Sequence, residues 1–197
     1  MEVVEHDKES NMDRDIYHSR ARPSGGLTLV ELVATLAVAT ITLTVAVPGY
    51  QSLVDNQRVY AATNRLVAHL TLARSEAVKR MARVALCPSR DGAACLDSFD
   101  WSEGFILFVD RNRDRNRQGD ELLVRVAGAA EQLRVLTSTG RRRIVYEPNG
   151  TVLGGSNATF RVCSNQSESR NRAVIISITG RPRTSGRDAT DAPVRCS

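Results

Sequence analysis

The sequence predicts an α+β protein, a long N-terminal helix packed on an antiparallel β-rich head. The helix is apolar enough to span a membrane in its first half and amphipathic in its second. Three observations carry this. Leu27 to Val47 is an apolar run whose single charge is Glu31. From Val59 to Met81, apolar residues recur three and four places apart. Seven short β-branched runs then follow, divided by glycine-containing turns. One helix followed by many strands is the order found where a helix covers an antiparallel sheet.

The apolar run comes first. Its 21 residues extend about 30 Å as a helix, the thickness of a bilayer core. In a secretory signal the small residues of the cut follow the apolar core. Here Gly25 and Gly26 precede it. A cut after Gly26 would leave the helix on the mature chain, with Leu27 as its first residue. Glu31 then lies about one helical turn from the new ammonium group. An unpaired acid at mid-bilayer costs roughly 2.5–3.5 kcal/mol. Near the end of the span it costs less, and it can pair with the N-terminus of a neighbouring copy.

The stretch "GG-LTLVEL" resembles the class III prepilin signal of type IV pilin-like proteins, with Leu27 where phenylalanine is usual. The resemblance implies cleavage by a prepilin peptidase between Gly26 and Leu27, methylation of Leu27, an assembly role for Glu31 and a helix kink at Pro48. It further implies a single-pass inner-membrane protein with a periplasmic head, later built into an extracellular pilus beside other major and minor pilins. Residues 1–26 are then a cleaved leader, 27–53 the membrane and pilus-core half of the helix, and 54–197 the head. A start at Met12 would shorten the leader to "MDRDIYHSRARPSGG", which carries three basic and two acidic residues. That bias favours a cytoplasmic N-terminus.

The amphipathic half places Val59, Thr63, Leu66, Leu70, Ala73, Ala77 and Met81 on one face. The whole helix is expected from about Leu27 to Arg83, bent near Pro48. His69 lies beside the apolar face and reads as an ordinary surface histidine. Strands are expected at 83–87, 104–110, 121–127, 132–138, 143–148, 159–163 and 173–179. Asn149-Gly150 is a hairpin signal.

Within this order, "WSEGFILFVDRNRD…GDELL" (101–123) resembles the tryptophan–glycine–strand segment of GspH/FimT-type minor pilins and pseudopilins. Asp110, Asn112, Asp114, Asn116 and Glu121 take positions one, three, five, seven and twelve of a calcium-type loop. Position six is Arg115 rather than glycine, arginines alternate with the candidate ligands, and no flanking helices are expected. The segment therefore reads as a solvated hairpin loop, with no metal or other cofactor.

Cys87, Cys95, Cys163 and Cys196 lie behind a membrane segment, where disulfides form. Four cysteines allow three connectivities, and spacing alone does not choose. The expected pairs are Cys87–Cys95, closing a short loop, and Cys163–Cys196, tying the C-terminal tail to a strand. Zinc is disfavoured, since no C-x-x-C pair exists and His69 alone lies beyond the leader. That scarcity, with no G-x-S-x-G sequence, also argues against an enzyme.

Residues 1–26 hold four basic and six acidic groups, and the rest of the chain carries +7. The basic residues are 25 arginines and two lysines. Compositional bias accounts for such a ratio, but arginine's planar fork also suits phosphate. "AVIISITGRPRTSGR" (173–187) concentrates the charge: Arg181 and Arg183 flank Pro182, Arg187 follows, and Arg170 and Arg172 precede the strand. Val174, Ile176 and Ile178 are expected on one face of that strand, with the arginines on a stiff loop after it. "GRPR" resembles the Gly-Arg-x-Arg motif of FimT-type pilins that bind DNA during natural transformation. No aromatic ladder accompanies it, so the expected contact is with phosphate and is not sequence-specific. The alternative is a structural minor pilin or a type II secretion pseudopilin that primes or caps a fibre without touching DNA.

Mass spectrometry of membrane-extracted protein is expected to find Leu27 as the first residue. A mature chain retaining residues 1–26 contradicts the processing site.

Overall fold

The computed structural model describes residues 26–154, 157–165 and 170–196. The leader before Gly26, with Gly25 and the Met12 start, lies outside the described residues. The chain forms two compact units that meet between Thr44 and Val45.

Helix α1 runs from Leu29 to Arg80, with Pro48 inside it. Thr28 caps its start: the Thr28 hydroxyl accepts from the Glu31 amide at 3.2 Å. Threonine followed three places later by glutamate is a capping-box pattern. Glu31 thus also sits in the first turn, where the helix dipole favours an acid. The apolar run is long enough to cross a membrane, and the rest of the chain does not bury it. Its threonines are compatible with that. Thr35, Thr40, Thr42 and Thr44 each donate to a carbonyl one turn earlier, at 2.7–2.9 Å. These four hydroxyls would therefore have partners within the helix in hydrocarbon.

In the second unit, α1 buries Asp55, Val59, Thr63, Leu66, Leu70, Ala73 and Ala77, one stripe with spacings of three and four. Met81, expected to continue the stripe, is 75% exposed. It ends the helix instead. Met81 has φ 52°. Its amide donates to Val78 O, and that of Ala82 reaches back to Ala77 O, both at 3.3 Å. These are the two bonds of a Schellman cap, with methionine where glycine is usual.

Eight strands follow: β1 Arg83–Pro88, β2 Gly104–Asp110, β3 Leu123–Gly128, β4 Leu133–Thr137, β5 Ile144–Tyr146, β6 Ala158–Ser164, β7 Arg172–Ile176 and β8 Pro182–Ser185. They form two four-stranded antiparallel sheets, ordered β3-β2-β1-β5 and β4-β6-β7-β8, where the sequence suggested one. Asn149-Gly150 makes a tight turn closed by a single bridge, Tyr146 to Val152, rather than a full hairpin.

Both sheets present alternate side chains to the α1 stripe. Val84, Leu86, Leu107 and Ile144 come from the first sheet, Phe160, Val162, Val174 and Ile176 from the second, in one core. Trp101, 1% exposed, joins them. Its ring lies 5.6 Å from Phe105 of β2 and, edge-on, 4.9 Å from Phe160 of β6. The outer faces are covered separately. Ala85, Cys87, Ile106, Phe108 and Val145 pack under Cys95 and Leu153. Ala173 and Ile175 pack under Val194 of the tail.

Cys87 bonds Cys95 and Cys163 bonds Cys196, with Cα separations of 5.5 and 6.3 Å. Each disulfide therefore pins a covering segment to the outer face of a different sheet. His69 is half-buried against the Phe105 ring, and its Nδ1 lies 2.7 Å from Arg65 O.

The left-handed conformation at Met81 costs a residue with a Cβ about 1–2 kcal/mol, partly offset by the entropy a glycine would lose on folding. Met81→Gly is expected to stabilise the chain by about 0.5–1 kcal/mol, read as a shift in denaturant midpoint in detergent.

Candidate nucleic-acid interface

The arginine cluster is built on the β7–β8 hairpin. β7 ends at Ile176, so Ile178 does not continue its apolar face and is 51% exposed. The turn closes through Gly180 N to Ser177 O at 2.8 Å and Ser177 N to Arg181 O at 3.1 Å. Gly180 has φ +78°, and a Cβ there would lie 2.1 Å from Gly150 O. Gly150 O in turn accepts from Arg74 Nε of α1 at 3.0 Å. The glycine of "GRPR" is therefore required by packing, whatever the arginines do.

Arg181 ends this turn, and the rest of the motif is strand rather than loop. Pro182 begins β8, an edge strand, opposite Ile176. An edge tolerates a residue without an amide hydrogen. Arg183 pairs opposite Ile175 and shares its outward face. Arg181 and Arg183 are both exposed. Among the described residues, neither guanidinium has a hydrogen bond or ion pair. Arg187 lies beyond the strand. It donates to Asp191 O at 2.7 Å and sits 3.8 Å from the Asp191 carboxylate.

Two expected members are turned elsewhere. Arg170 lies 3.8 Å from the buried Asp55 carboxylate, which Arg58 also meets at 3.1 Å. Arg172 stacks over the Tyr60 ring at 4.7 Å and donates to its hydroxyl. Both hold the second sheet to α1 and do not join Arg181 and Arg183. An acid on the apolar stripe and a tyrosine one turn on, both on α1, were the signals available for these pairings.

Arg134 of β4 and Arg161 of β6 belong to the outer face and were missed. They sit opposite Cys163 and Ala173, whose side chains point outward. Arg134 donates to Cys196 O at 3.2 Å, and Arg161 to Arg195 O at 3.1 Å. Each takes the outward place in an alternating strand, but the shared face appears only with the register. Asp188 and Asp191 are the acids of the covering tail. Bonds from the Thr190 side chain and from the Thr190 and Ala192 amides keep the Asp188 carboxyl below its ordinary range. The outer surface of the second sheet is thus arginine-rich, with two acids placed in the tail.

A family model described as type II transport protein GspH matches residues 62–180. The pilin-like protein PilA1 of Thermus thermophilus is 30% identical over 164 residues, 80% of this chain and 96% of that protein. Crystal structures of the Pseudomonas aeruginosa type IV minor pilin FimU superpose with TM-scores of 0.52 and 0.53. They are 22% and 21% identical, cover 70% and 72% of this chain, and are themselves covered over 99% and 96%. At that identity they show a common fold.

Gly180→Ala is expected to cost about 2–3 kcal/mol, from positive φ and backbone overlap together. Arg181→Gln, on an exposed side chain, is expected to stay within about 0.5 kcal/mol. Paired denaturation curves of the two variants check this contrast.

Proposed function

The chain belongs to the type II transport protein GspH family and is a type IV minor pilin or pseudopilin. Within that class we propose a minor pilin of a type IV pilus that binds DNA without sequence specificity, through the edge of β8, during natural transformation. The observation that carries this reading is the pair Arg181 and Arg183. Both are exposed and lack an acidic partner: Arg181 ends the turn before a proline-started edge strand, and Arg183 faces outward on that strand. With the backbone already held by the hairpin, only side-chain freedom is left to lose on meeting phosphate. Arg187 extends the same surface, while Arg170 and Arg172 serve the fold.

The biology proposed with it follows from the N-terminus. A prepilin peptidase removes the leader before Leu27. The helix holds the chain in the inner membrane with its head in the periplasm, and Glu31 guides docking among other pilins. The assembled fibre then carries the head outside the cell.

Phosphate contact by a few arginines gives weak, salt-sensitive affinity, roughly 10⁻⁴–10⁻⁶ M. A fibre repeating the site gains by avidity. The detergent-solubilised chain is expected to shift duplex DNA of unrelated sequences equally. In Arg181→Gln/Arg183→Gln the slope of log K against log salt should fall in magnitude by about 1.8, at 0.9 per lost contact. Arg125→Gln, an exposed change on β3, is expected to leave it near wild type. A double variant that melts normally and binds like wild type excludes this edge. A wild-type chain that binds no DNA at low salt favours the purely structural minor pilin or pseudopilin.

A further inference from the structure

The loop between β2 and β3, residues 111–122, differs from its sequence reading at both ends. Asp110 is 1% exposed and Glu121 is 4% exposed. Asp110 Oδ1 accepts from the Arg115 amide at 3.3 Å. Its Oδ2 is buried and has no hydrogen-bond partner. Such an oxygen has lost its hydration without replacement, at a cost of about 1–3 kcal/mol or more for a charged group. Burial pushes the Asp110 carboxyl above its ordinary range, and the nearby Glu121 and Asp114 carboxylates add to the shift.

The same loop carries oxygen ligands at calcium-loop spacing. Asn112 Oδ1 accepts from Asp114 N at 3.0 Å, and Asp114 Oδ1 from Asn116 N at 2.7 Å. Asp114 Oδ2 also receives Asn112 Nδ2 at 3.0 Å and Gln118 Nε2 at 2.9 Å. Glu121 closes the loop, accepting from Arg111 N at 2.9 Å and Gln118 N at 3.0 Å. The sequence objection was arginine at position six, where the turn calls for glycine. The structure removes it: Arg115 has φ 65°, the left-handed conformation that glycine would supply. Two neighbouring guanidiniums have their own carbonyl or amide partners. Arg117 turns away to Ala93 O at 2.8 Å. Arg143 meets the Asn116 side-chain oxygen at 3.1 Å, while position seven contributes a backbone carbonyl.

We propose that residues 110–121 form a calcium site, with Asp110 Oδ2, Asn112, Asp114, the Asn116 carbonyl and Glu121 as ligands. Among the described residues, no three His, Cys, Asp or Glu side chains already stand in range of a single ion. Amide and carbonyl oxygens complete the shell, and the exposed arc 112–116 closes inward on binding. The ion supplies the missing partner of Asp110 and ties the β2–β3 hairpin together. The site is independent of the DNA-binding reading.

The test uses the full chain in detergent, stripped with a chelator and then given 10 mM calcium or 10 mM magnesium. Calorimetry is expected to show one calcium per chain, with Kd of about 10⁻⁴–10⁻³ M, the range of extracellular modules. At the weak end of that range the melting midpoint rises by about 3–6 °C in calcium, and magnesium gives little rise. Asp110→Asn and Asp114→Asn lose the calcium response, while Asp120→Asn, in the same loop but outside the ligand set, keeps it. Asp114 is exposed, so its variant decides the matter if Asp110→Asn does not fold. No calcium bound by the wild-type chain overturns the proposal, as does an equal response to magnesium or an undiminished response in Asp114→Asn.

Discussion

The head depends on one shared surface. From Asp55 to Ala77, a single stripe of α1 is the floor on which both sheets close. Its residues shorten toward the C-terminal end, from Leu66 and Leu70 to Ala73 and Ala77, all at most 3% exposed. Small side chains let the strands approach, and the same core holds the large rings of Trp101, Tyr146 and Phe160, none more than 1% exposed. Truncating such residues leaves cavities as well as losing burial. Trp101 matters doubly, because its neighbours Phe105 and Phe160 belong to different sheets. The first sheet orients the calcium-type loop at one end of β2. The second orients the arginine edge of β8. Neither has a defined position without the common floor.

The outer faces obey a different constraint. A sheet that buries one face on a helix still exposes apolar residues such as Phe108 or Ile175 on the other. Here short irregular segments cover them, and such segments bury too little apolar area to hold themselves in place. The disulfides make up the difference, one for each cover. Cys163–Cys196 is aided by polar contacts: Asn171 Nδ2 donates to Val194 O and Ser164 N to Asn171 Oδ1, both at 3.0 Å. With the tail held, β8 keeps its free edge outward rather than beneath a loose C-terminus.

The helix and most strands were legible because their signals are periodic and local. The span, the α1 stripe and runs such as "GFILFVD" (104–110) need only their own sequence. What escaped depended on register or on a competing local rule. Met81 fits the stripe by spacing, yet the chain must turn into β1 at Arg83, so the cap takes it. β8 is short, begins with proline and lacks an apolar alternation, so "PRTS" reads as loop until β7 is beside it. Arg170 and Arg172 resemble Arg181 and Arg183 in every sequence property. Asp55 and Tyr60, more than a hundred residues earlier, separate them. Arg115 takes a left-handed conformation despite its Cβ, because the preference for glycine at positive φ is a cost, not a prohibition.

The arginine content takes on a different meaning once partners are assigned. Arg65 reaches Gly128 O at 3.0 Å, Arg74 reaches Gly150 O, and Arg141 reaches Leu153 O at 3.1 Å. Arg117, Arg134 and Arg161 likewise donate to carbonyls of connecting segments. Loop carbonyls near a surface lack ladder partners, and the guanidinium fork reaches them across several ångströms while keeping contact with water. Lysine, a single point donor on a flexible stem, fixes such a carbonyl less well. Much of the arginine bias thus serves to hold irregular backbone over two small sheets. Arg181 and Arg183 depart from that pattern, as do the exposed Arg111, Arg113, Arg115 and Arg125, whose guanidiniums also have no hydrogen bond or ion pair among the described residues. What distinguishes Arg181 and Arg183 is their place two residues apart at the free edge of the second sheet, on either side of the proline that begins β8.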